Sequence, residues 1–122
     1  SRPRRRIGVA RALGASLAGL IVLATAAAAA VPVPPVPRDT PSSVARRLLM
    51  SLGYGPVAPA RARCAQGREE ICRASGEVER CTADALARCV FLWAKDGATF
   101  EIQTRGLDDL VVDRIRCRAG CQ

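Results

Sequence analysis

The plainest chemistry in this 122-residue chain belongs to six cysteines, Cys64, Cys72, Cys81, Cys89, Cys117 and Cys121, separated by seven, eight, seven, twenty-seven and three residues. Such thiols can pair as disulfides, hold a metal or act as nucleophiles. Structural zinc clamps cysteines a few residues apart. Only Cys117 and Cys121 have that spacing, with no second close pair and no histidine to complete a tetrahedron. No metal is expected. An even count in a segment of about ninety residues points to three disulfides, because so short a chain buries too little apolar surface to be secure without staples. Six cysteines permit fifteen pairings, and their spacing does not choose among them.

Lack of histidine also removes Ser-His and Cys-His nucleophile pairs and imidazole acid/base catalysis. A two-carboxylate hydrolase needs acids brought into one cleft, with one pKa raised by burial. The candidates are Glu69, Glu70, Glu77, Glu79 and Asp84, all in the cysteine-rich half. They alternate with Arg61, Arg63, Arg68, Arg73, Arg80 and Arg88, which is the pattern of a solvated surface of mixed charge. Asp108, Asp109 and Asp113 lack the spacing of a calcium loop, and no phosphate loop, nucleophile elbow or dinucleotide fingerprint is present. A non-enzymatic protein without catalytic residues or cofactor is therefore expected, with a small carboxylate-dependent hydrolase as the alternative.

The net charge of +8 is unevenly spread. Residues 1–30 hold five arginines and no acid, so the 19 basic residues fall to 14 against 11 acids beyond them, a balance of +3. Lys95 is the lone lysine beside eighteen arginines, a usage that reflects a GC-rich bacterial genome before it reflects recognition. Arg114, Arg116 and Arg118 form a short basic run and are the candidate partner surface. With four aromatics in the chain and acids beside these arginines, a nucleic-acid partner is not expected.

The first thirty residues read as a signal peptide: a cationic Ser1–Arg6, an apolar Leu13–Leu23, and an alanine tract offering cleavage after Ala28 or Ala30. Its rival is an uncleaved signal-anchor, since residues 12–31 are uncharged and about long enough to span a 30 Å hydrocarbon layer. Either way the cysteines cross the membrane, which predicts a periplasmic or secreted domain, or one anchored to the inner membrane and facing outward. Residues 31–41, Val-Pro-Val-Pro-Pro-Val-Pro and the four that follow, read as a stiff proline-rich spacer.

Residues 42–122 must then position the cysteines and arginines as one domain. Ser42 and Ser43 offer capping hydroxyls to a helix carrying Val44, Leu48, Leu49 and Leu52, stopped by Gly53. A second helix is predicted within Arg61–Ala74, and Thr82 can cap a third over Ala83–Arg88. Asp96-Gly97 suits a two-residue hairpin turn. That turn pairs Lys95 with Ala98, Trp93 with Phe100, Phe91 with Ile102 and Cys89 with Thr104. A further strand over Leu110–Cys117 should place Val111, Ile115 and Cys117 on one side and Arg114 and Arg116 on the other; as an edge it could accept a partner strand. The expected fold is α+β: a small disulfide-stapled domain of two or three short helices followed by a three-stranded antiparallel β-meander, its helices on the Trp93/Phe100 face. The functional expectation is an exported envelope protein of a Gram-negative bacterium, a non-enzymatic binding or structural module for another envelope or extracellular macromolecule. A membrane-tethered accessory subunit, held only through residues 12–31, is a further alternative.

Overall fold

The computed structural model describes Pro3, Gly14, residues 16–22 and residues 29–122, so most of the leader reading lies outside it. Among the described residues no helix is long and apolar enough to cross a membrane. In chain order the elements are α1 (Ser42–Ser51), β1 (Gly55–Pro56), β2 (Arg63–Cys64), α2 (Glu69–Ala74), β3 (Val78–Cys81), β4 (Cys89–Lys95), β5 (Ala98–Arg105) and β6 (Val111–Ala119). The class is α+β, but the sheet has six strands and is mixed. Its order is β2-β3-β4-β5-β6, with β1 beside the far half of β4 and β2 parallel to β3. The expected meander is thus the right half of a larger sheet, and α2 lies between strands instead of leading them.

The β4–β5 hairpin has the register expected, from Lys95 against Ala98 to Cys89 against Thr104. Its turn residues Asp96 and Gly97 both have positive φ, 50° and 81°, as a type I′ turn requires. Trp93, Phe100 and Ile102 therefore share one face, where they pack with Leu49 and Ala45 of α1, Tyr54 and Val112. A second cluster joins Val78, Cys81 and Cys89 to Ile71 of α2 and to Leu110.

Several local expectations yield to tertiary context. No side chain caps α1; it starts directly after Pro41, with Ser42 inside the helix. Its end is a Schellman motif: Tyr54 N–H donates to Leu49 O at 3.0 Å and Gly53 N–H to Met50 O at 3.1 Å, with Gly53 at φ 87°. The predicted third helix is a loop. There the Asp84 carboxylate accepts from the backbone N–H of Leu86 and Ala87, while pairing of β3 with β4 holds the loop's two ends together. In β6 a bulge at Asp113, between the Gln103–Arg114 and Thr104–Val112 pairs, reverses the alternation. Val112, not Val111, consequently joins Ile115 and Cys117 on the helix face.

Residues 31–41 are a strap packed on the domain and not a free stalk. Val36 and Pro34 are buried, and the Tyr54 hydroxyl donates to Pro32 O at 3.1 Å. Asp39 N–H donates to Val112 O and Val112 N–H to Thr40 O. Arg38 meets Asp113 at 3.1 Å, and Arg105 pairs with Asp39. Pro34 and Val36 face the domain while Val33 is exposed, and proline fixes the strap in an extended form. The strap covers the start of β6, so only the later part of that edge strand lacks a neighbour.

The cysteines pair consecutively, Cys64–Cys72, Cys81–Cys89 and Cys117–Cys121, and none is free. The first ties β2 to α2, the second joins register partners on β3 and β4, and the third closes the end of β6. Disulfides of this kind point to an oxidising environment, extracellular or periplasmic.

Candidate functional site

The two faces of the sheet are covered differently. Both helices lie on the Trp93/Phe100 face. The opposite face carries Arg80, Val90, Gln103 and Arg114 in one row across β3, β4, β5 and β6, and Leu92, Glu101 and Arg116 in the next. On that face Val90, Leu92 and Gln103 are buried. Long charged side chains cover them, as arginine stems do when their heads remain in water. Arg118 of β6 bridges Glu101 of β5 and Glu79 of β3, each at 2.8 Å, and so crosses the intervening β4.

This bridge gives a pH dependence. The hydrogen bond from Arg118 holds the Glu79 carboxyl below its ordinary value of 4.5. A carboxyl whose folded pKa is depressed adds stability above its unfolded pKa and loses it as the pH falls through the folded one. The urea midpoint should therefore drop as the pH is taken below 4.5. Arg118→Ala should lower the neutral midpoint and flatten this acid limb; an unchanged limb would show that the bridge is not its source.

Beside the bridge, the face opens into a polar cleft of about 290 Å³ between the sheet and the Thr82–Arg88 loop, where Arg80, Arg88, Arg114 and Arg116 converge. Strand pairing puts Arg80 and Arg114 three strand spacings apart, about 14 Å between Cα atoms, within reach of side chains that lean inward over Val90. Arg88 and Arg116 make no side-chain hydrogen bond or ion pair among the described residues; Arg114 Nε donates to Gln103 Oε1 at 3.0 Å, and Arg80 has only a 3.4 Å contact with Glu79. The one acid of the cleft, Asp84, spends its Oδ1 on the loop. Four guanidinium groups thus face one concavity with little countercharge. Arg114 and Arg116, singled out from strand alternation, both line it. Arg118 does not; it is paired with Glu79 and Glu101. Arg80 and Arg88 were missed, since neither β3 nor its loop shows any strand pattern in the sequence.

The five carboxylates are dispersed. Glu69 accepts from Gly67 N–H, Glu70 pairs with Arg73, Glu77 is buried against Arg46 of α1, Glu79 belongs to the Arg118 bridge and Asp84 to its loop. Glu69 and Glu79 are both held below ordinary carboxyl values, Glu69 by backbone hydrogen bonds and Glu79 by Arg118. A general acid needs the opposite shift. Among the described residues no group of Cys, Asp and Glu side chains is placed to hold a metal.

A second cleft, about 310 Å³, lies on the helix face between α1, α2 and the sheet, with Leu49, Ile71, Phe91, Trp93 and Val112 among its walls. Thr104 lines it, 1% exposed, and its hydroxyl has no hydrogen-bond partner. Arg68, just before α2, is also buried. Its Nη2 donates to Gly106 O at 3.1 Å and lies 3.2 Å from Cys89 Sγ, while Nε and Nη1 lack partners. A buried unsatisfied hydroxyl costs about 1–3 kcal/mol. Thr104→Val, which keeps shape and strand preference, should accordingly raise stability by about 1 kcal/mol; a fall in the urea midpoint would mean that the hydroxyl is satisfied.

No protein-family model matches this chain, and no curated protein or solved structure matches it significantly. Function must be argued from the surface itself.

Proposed function

We propose that the chain is exported, loses its leader, and works as a non-enzymatic binding module of the bacterial envelope, with the arginine-bearing sheet face as its contact surface. One observation carries this reading: Arg80, Arg88, Arg114 and Arg116 line a single cleft while most acids of the domain are committed to other arginines. A concave, like-charged site attracts an anionic partner and focuses its approach. Disulfides and the strap support the role, because a rigid scaffold loses little conformational freedom on binding.

Export is tested by intact mass. Protein recovered from the envelope should lack residues 1–28 or 1–30 and carry three disulfides, whereas a full-length mass would return the tethered alternative. Binding is tested by retention on isolated envelope material at about 0.15 M salt, where exposed charges are screened beyond roughly 8 Å. Arg114→Glu/Arg116→Glu should lose retention at least tenfold, and Arg47→Glu/Arg61→Glu, outside the cleft, should keep it. Equal behaviour of the two variants would overturn the reading.

A further inference from the structure

The same end of the domain carries an apolar feature beside the arginines. Gly106 N–H donates to Leu86 O at 3.4 Å, which holds the Thr82–Arg88 loop against the loop that follows β5. On these two touching loops Leu86 and Leu107 stand 50% and 68% exposed. Two exposed leucines on the loops beside a cleft lined by four arginines, of which Arg88 and Arg116 make no side-chain hydrogen bond among the described residues, form an amphipathic surface suited to the boundary between headgroups and acyl chains.

We infer that this end of the domain docks on an anionic membrane surface. The cleft holds a lipid phosphate, and Leu86 and Leu107 enter the interface beside it. This assignment rests on the binding-module reading and names its partner. Guanidinium forks match phosphate oxygens through paired, charge-assisted hydrogen bonds, and among the described residues the side chains of Arg88 and Arg116 donate to no other group. The compact Asp84-capped loop presents Leu86 without first having to be ordered.

The test is co-sedimentation of the purified protein with vesicles of phosphatidylcholine alone, or of phosphatidylcholine mixed with phosphatidic acid or phosphatidylglycerol, at about 0.15 M salt. Binding to the anionic vesicles and not to the neutral ones is expected. Arg88→Gln/Arg116→Gln should weaken it about 30-fold, the effect of two arginines at such a surface. Leu86→Ser/Leu107→Ser should weaken it several-fold, while Arg47→Gln/Arg61→Gln should stay within twofold. All six positions are exposed, so each variant should keep the wild-type urea midpoint. Equal loss in the Arg47/Arg61 variant would reduce the effect to general charge and overturn the site. Saturable binding of inorganic phosphate without vesicle association would overturn the lipid as its source. Should vesicles fail while envelope retention still needs Arg114 and Arg116, the lipid assignment falls and the binding module stands. If both fail, both readings fall.

Discussion

Replacing Cys81 and Cys89 together by alanine is expected to cost about 3–5 kcal/mol, near the upper end for a small stapled domain. The equivalent change at Cys117 and Cys121 should cost about 2 kcal/mol or less. Chain entropy does not separate them: the bridges close loops of similar size, with sequence separations of 8 and 4, and loop length enters only as a logarithm. Burial does. Cys81 and Cys89 are 3% and 0% exposed and packed with Val78, Ile71 and Phe91, so alanine there also empties core volume. It further leaves the Arg68 guanidinium, already short of partners, with Gly106 O alone. Cys117 is exposed at the end of the last strand. Urea unfolding of the two double variants decides the matter. Similar midpoints for both would show that restriction of the unfolded chain, and not packing, governs these bridges.

Removing the strap should be almost as damaging. A chain beginning at Arg38 is expected to be about 2–4 kcal/mol less stable than one beginning at Val31, since burial of Val36 contributes about 1.5–3 kcal/mol and the hydrogen bond of the Tyr54 hydroxyl about 0.5–1.5 kcal/mol. Val36 is 8% exposed and Tyr54 6%, and the partner of the Tyr54 hydroxyl is Pro32 O. Tyr54→Phe in the longer chain isolates the second contribution and should reproduce that smaller part of the loss. A true stalk would behave otherwise: the shorter chain would unfold at the same urea concentration as the longer.

The sequence revealed those parts whose signals are local. Asp96-Gly97 between two alternating runs fixed the hairpin and its register, and Leu48, Leu49 and Gly53 marked α1 and its stop. Strands β1 and β2 were invisible because Gly-Pro and Arg-Cys carry no alternation; they exist only as neighbours of β4 and β3. Alanine around Asp84 favours a helix, but the Asp84 side chain satisfies the backbone N–H of Leu86 and Ala87 in a turn, and Ala87 adopts φ 46°. The bulge at Asp113 has no signature of its own, so the side taken by Val112 was not legible. The arginine cleft was half legible for the same reason. Arg114 and Arg116 follow from alternation in β6, whereas Arg80, Arg88 and the neutralising Glu79 arrive with a strand that the sequence does not announce.

Contact between the strap and β6 also sets an order of events. Whether from a ribosome or across a membrane, the chain emerges amino terminus first, and each disulfide joins a cysteine to the next one to appear, with separations of 8, 8 and 4. Those links can close in turn as the thread lengthens, without a wrong partner yet in reach. The strap has the opposite schedule. Asp39 and Thr40 wait for Val112, which follows every cysteine but the last two, before their backbone groups are matched. Oxidation is thus a running stitch, while the strap, which precedes every cysteine, is fastened only once β6 has been made, and until then the edge of β5 that β6 will cover is open to other chains.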